Sequence, residues 1–110
     1  MILMALAMAA ASPVKGPEKI YNFPDQDSCG YWSEQRRQTT GRSQMWEGWI
    51  LGFISGLNVF GANNGNVAPG LQADGLLGWI DQYCSAHPLD RVTLAGFKLV
   101  DELKRREASR

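Results

Sequence analysis

Apolar side chains recur along this chain at spacings of three and four and never alternate, which is the pattern of amphipathic helices rather than of strands. The clearest run starts at Ser43: Met45, Trp46, Trp49, Ile50, Phe53, Ile54 and Leu57 predict a helix with one buried stripe, capped by Ser43. Ahead of it, Asp27 and Ser28 offer capping side chains for a short helix over 29–38. Tyr31 and Trp32 are available there for packing, and Gly41 breaks the pattern. Residues 61–73, GANNGNVAPGLQA, read as a loop long enough to be functional or mobile. Asp74 is then expected to cap a third helix with Leu76, Leu77, Ile80, Tyr83 and Cys84 on one stripe, stopped by Pro88. Asp90 is expected to cap a last helix with Val92, Ala95, Leu99 and Leu103 on one side. Lys104, Arg105 and Arg106 suit the negative end of its dipole. The fold class these elements predict is all-α: a compact bundle of about four helices forming one domain over 28–106, with 107–110 as a tail.

A second pattern crosses the first. Gly48, Gly52 and Gly56 recur every four residues inside the aromatic helix, and each costs up to about 1 kcal/mol against alanine in a helix interior. Three such losses in register predict helix packing along that face, by a neighbouring helix or a partner that approaches closely.

Composition changes the picture in two places. Residues 2–11 are apolar and uncharged, and Ala7-Met8-Ala9 or Ala9-Ala10-Ala11 supplies small residues at a signal-peptidase spacing. Residues 1–11 therefore read as a signal peptide, without a basic n-region, and 12–27 as an extended arm. Behind such a leader an even cysteine count reads as a disulfide, so Cys29 and Cys84 are expected to pair in an oxidising, periplasmic setting. The loop from residue 29 to residue 84 would be worth about 4 kcal/mol on the chain-entropy estimate. The 11 basic and 11 acidic residues balance, so net charge steers the chain to neither nucleic acid nor an anionic membrane. The apolar stretch 46–60 is interrupted by Glu47, Ser55 and Asn58 and is too short for stable membrane insertion.

Residues that could carry chemistry are few. The single histidine, His87, directly precedes Pro88 at the end of the third helix, where an imidazole can cap free carbonyls. Cys84 and His87 have a usable zinc spacing but lack two further ligands, and Cys29 is better employed in a bridge, so no metal is expected. Glu47, Asp74 and Asp81 could supply paired carboxylates. Asp74 reads better as a cap, however, and Asp81 as the polar side of its helix. No nucleophile elbow or phosphate loop is present, so no catalytic residue, cofactor or enzymatic activity is expected. The four tryptophans, Trp32, Trp46, Trp49 and Trp79, are candidates for core or for a protein-binding patch. Trp46 and Trp49 point in similar directions, which places one of them near the surface.

Three segments together, DSCGYW at Cys29, WEGWILGFISG and YCSAHPLD, resemble the HdeA/HdeB family of small periplasmic proteins, with RVTLAGFKLVDEL in the place of that family's last helix. The spacing of Gly48 and Gly52, His87-Pro88 and the stretch from Ala95 to Val100 is also similar to the Rap/Tai group of periplasmic immunity proteins. The first resemblance implies an acid-stress chaperone, usually dimeric, that loosens in acid and holds unfolding clients. Trp46, Trp49, Phe53 and Leu57 would be the client-contact stripe. The second implies a binding module, commonly dimeric, that blocks a secreted toxin, with loop 61–73 as an inserting element. Under either, the partners are other proteins, and a homodimer is expected.

Overall fold

A computed structural model describes residues 27–60 and 67–109, so the leader, most of the arm, residues 61–66 of the long loop and residue 110 lie outside the described residues. Four helices account for nearly all of the described chain: α1 (Cys29–Gln38), α2 (Gly41–Phe60), α3 (Ala73–Ala86) and α4 (Val92–Ala108). The only extended pairing among the described residues is a single antiparallel bridge between Ser28 and Arg91. The chain is therefore all-α, and one disulfide, Cys29–Cys84, joins α1 to α3 with the two Cα atoms 4.5 Å apart.

α3 is the central element and touches the other three helices. Its stripe, Leu76, Leu77, Ile80 and Cys84, is buried against Trp32 of α1, Trp46, Ile50 and Ile54 of α2, and Val92, Ala95, Leu99 and Leu103 of α4. Each large aliphatic side chain so placed contributes about 1.5–3 kcal/mol. The four α4 positions expected on one side are all in this core.

The helix ends show where local sequence was misread. Ser28 caps α1 as expected, its Oγ accepting the Tyr31 N–H at 3.1 Å. The break after α1 lies at Thr39, which turns into the left-handed region with φ 52°, and Gly41 instead opens α2. Ser43 is not the cap of α2: it is buried in the first turn and donates its hydroxyl to the Thr40 carbonyl. The Thr40 hydroxyl accepts the Ser43 N–H at 3.2 Å and so takes the capping role. Asp74 does not cap α3, whose flanking residue is Gln72, and Asp90 does not cap α4, whose flanking residue is Arg91. Asp90 is engaged elsewhere, accepting the Tyr83 hydroxyl at 2.6 Å. α3 begins at Ala73, inside the expected loop, and α4 runs past residue 106 to Ala108.

Tertiary backbone contacts complete the caps that side chains do not. Carbonyls of the turn after α3 accept from the start of α1: Cys29 N–H donates to Asp90 O at 2.7 Å and Gly30 N–H to Pro88 O at 2.9 Å. A Cβ at Gly30 would lie 3.3 Å from that Pro88 oxygen, so the approach requires glycine or a shift of the turn. Val92 N–H in turn donates to Asp27 O at 3.0 Å, which ties the start of α4 to the start of α1.

Candidate functional site

The polar side chains that bridge helices converge on two arginines and two indoles. Arg36 of α1 lies with its guanidinium 5.4 Å from the Trp32 ring centroid. It grips Asp81 of α3 with two hydrogen bonds, Nε to Oδ1 at 2.9 Å and Nη2 to Oδ2 at 2.6 Å. The same guanidinium reaches Glu47 of α2 at 2.8 Å, so one side chain fastens three helices. The Trp32 indole N–H completes the cluster by donating to Asp81 Oδ1 at 2.9 Å. The hydrogen bond to Asp81, together with the bond to Glu47 and both opposing charges, raises the Arg36 pKa further despite burial.

A second clamp sits at Asp27. Its Oδ2 accepts Arg42 Nε at 2.8 Å and the Trp46 indole N–H at 2.6 Å, fixing the segment before α1 to the start of α2. Burial, the largest single influence on this carboxyl, works to raise its pKa. The hydrogen bonds from Arg42 and Trp46 and the Arg42 charge together outweigh it and leave the value below the ordinary 3.8. On α4, hydrogen bonds from Arg105 and Arg106 hold Glu102 down to about 2, a local arrangement at helix spacing that joins no second element.

The stripe expected to meet other proteins is largely turned inward. Trp46 is 1 % exposed and belongs to the core of the folded state. Trp49, Phe53 and Leu57 are half-buried against that core. Their rings form a continuous run: Trp46 meets Trp49 edge-on at 5.4 Å, Trp49 stacks on Phe53 at 5.4 Å, and Phe53 meets Phe97 of α4 at 5.7 Å. Gly96 makes room for this run, since a Cβ there would stand 3.2 Å from Trp49 Cζ3. The α4 residues Gly96 and Phe97 are what sequence reading missed, because the pattern of α2 alone does not show which neighbour covers it.

Gly48, Gly52 and Gly56 face the other way. A Cβ at any of the three would meet nothing within 4 Å, so the expected close neighbour is not among the described residues. The most exposed large apolar side chains among the described residues are Val59 at 72 % and Phe60 at 89 %, where α2 ends, and Leu89 at 94 % on the turn after α3. Beside the end of α2, Leu51, Ile54, Asn58, Ala68 and Leu71 line a cleft of about 410 Å³. Asn58 closes part of its rim by accepting the Val67 N–H at 2.8 Å.

The residues weighed for chemistry separate. His87 ends α3, as its position before Pro88 suggested. Its backbone N–H donates to the Tyr83 carbonyl at 2.9 Å, and its Nδ1 donates to that same carbonyl at 2.9 Å. Glu47 and Asp81 come together, but around Arg36, while Asp74 stands exposed at the start of α3. Among the described residues no three His, Cys, Asp or Glu side chains are grouped to hold a metal. No described helix is long and apolar enough to cross a membrane. Comparison with protein-family models, curated proteins and solved structures finds no match to this chain.

Proposed function

We propose that this protein is an exported, non-enzymatic protein-binding domain of the HdeA/HdeB kind, working in the periplasm as an acid-activated holder of unfolding proteins. The observation that carries this reading is the nature of the fastenings between helices. One is a disulfide, which acid does not break. The others are carboxylates, Asp81, Glu47 and Asp27, gripped by Arg36, Arg42 and two indoles. Protonation removes the ionic part of each clamp. Carrying it to completion takes the formal charge from 0 to +12, with 11 carboxyls neutral and 11 basic side chains and one histidine charged. Self-repulsion then loosens the bundle while the Cys29–Cys84 bridge limits its expansion. The run Trp46, Trp49, Phe53 and Leu57, enclosed at neutral pH, becomes the client surface.

The sign of the linkage follows from Asp27. Its carboxyl has a folded pKa below the ordinary 3.8, so its stabilisation is complete above that value and is lost as pH falls through the lower, folded one. The test is aggregation of an unrelated client, such as an acid-denatured dehydrogenase, followed by light scattering with apolar-dye binding from pH 7 to pH 2. Suppression and dye binding are expected together below about pH 4 and not at pH 7. A chain that stays closed to the dye at pH 2, or that fails to suppress scattering while open, would overturn the reading.

A second reading, inhibition of a secreted toxin in the manner of Rap/Tai immunity proteins, is favoured by Val59 and Phe60. They present bare apolar side chains in the folded state beside loop 61–73. It predicts tight 1:1 binding of one toxin at neutral pH that Phe60→Ser abolishes.

A further inference from the structure

A groove of about 290 Å³ runs between α3 and α4, and none of its lining residues belongs to the two interhelix clamps or the aromatic run. One wall is aromatic: Trp79 stacks on Tyr83 with centroids 5.5 Å apart and planes 15° from parallel, and the stack continues from Tyr83 to His87 at 4.2 Å. The other wall is polar, made by Lys98, Asp101, Glu102 and Arg105 of α4.

Several hydrogen-bonding groups in this groove have no partner among the described residues. The Trp79 indole N–H, unlike those of Trp32 and Trp46, donates to no described residue, and one face of its ring meets no other aromatic ring. Lys98 and Asp101, one turn apart on α4 and both exposed, make no hydrogen bond or ion pair with any described residue. Tyr83 and Glu102 are committed, to Asp90 and to Arg105 and Arg106 respectively, and these bonds hold the two walls in place.

The chemistry selects a ligand class. A polyanion would meet Asp101 and Glu102, and a polycation would meet Lys98 and Arg105. A wholly apolar ligand would strip water from both pairs without replacing its hydrogen bonds. A pyranose ring has the opposite qualities: a face of C–H groups that lies flat on an indole, and a rim of neutral hydroxyls that both donate and accept. The groove is at the small end of the range for ligand sites, which suits one or two sugar rings.

We infer that this groove binds the end of a neutral oligosaccharide, with Trp79 as the stacking platform and Lys98 and Asp101 as hydroxyl partners. This site is independent of client or toxin binding. It is tested on the intact, disulfide-bonded, ¹⁵N-labelled chain at neutral pH, titrated with N-acetylglucosamine trimer and with cellotriose. The expected result is a saturable shift of the Trp79 indole resonance, assigned by its loss in Trp79→Phe, with a Kd of about 1 mM for at least one of the two. Asp101→Ala, on an exposed helix position, is expected to keep the folded spectrum and weaken binding about tenfold. No shift with either sugar up to about 20 mM would overturn the inference. So would equal binding by Asp101→Ala, or tighter binding at the same resonance by a short apolar peptide.

Discussion

The two halves of α2 are held by different physics. In its first half Arg42 and Trp46 share Asp27, Glu47 reaches Arg36, and Ser43 and Trp46 are buried, so directional bonds and packing fix the same segment. In its second half Gly52 and Gly56 face open space, Val59 and Phe60 stand in solvent, and a cleft opens beside Leu51 and Asn58. The apolar contacts of Ile50, Phe53, Ile54 and Leu57, with the Asn58–Val67 hydrogen bond, hold that end. On the proposed reading, acid releases the carboxylate clamps of the first half and leaves the apolar contacts of the second in place.

Removing the tether sharpens the comparison most. Cys29→Ser with Cys84→Ser is expected to cost about 4 kcal/mol, and thermal denaturation at pH 7 should show a midpoint lowered by more than about 15 °C. A fall of only a few degrees would mean that the clamps, and not the bridge, hold α1 on α3. Next is Asp81→Ala, which strands the Trp32 indole and half of the Arg36 fork. The site is partly open to solvent, so the expected loss is about 2 kcal/mol, read as a urea midpoint.

Asp27→Asn separates the two halves by pH. It should cost about 1 kcal/mol at pH 7 and progressively less below about pH 4, where the wild-type carboxyl takes up its proton, so the two urea midpoints converge in acid. A constant gap from pH 7 to pH 2.5 would show that the charge on Asp27 does not matter. The smallest effects have opposite signs. Gly96→Ala forces a methyl against Trp49 and should lose about 1 kcal/mol, whereas Gly52→Ala on the open face should gain about 0.5–1 kcal/mol from helix propensity. A loss at Gly52 would reveal that something occupies that face in solution.

The periodicity of the sequence carried the fold far. Four helices, the α3 and α4 stripes and the α1–α3 bridge were all legible, because a buried stripe and an even cysteine pair are written in spacing alone. The caps were less legible. Asp74, Asp90 and Ser43 have capping side chains and cap nothing, since Tyr83 claims Asp90 and Thr40 takes the place of Ser43. The clamps were missed for a related reason. Asp27 looked like a helix cap and Asp81 like a solvated face, and only the three-dimensional meeting of Arg36, Trp32 and Trp46 with them shows otherwise. The aromatic stripe was recognised as apolar, but its covering by Gly96 and Phe97 depends on a contact between helices that lie far apart in sequence.

Two indoles donating to carboxylates inside the bundle give the molecule a built-in optical gauge. Were Asp27 and Asp81 to release Trp46 and Trp32, each ring would pass from a buried surrounding to water, and its emission would move to longer wavelength. Substituting one of these rings at a time by phenylalanine would time the parting of each seam without any added dye.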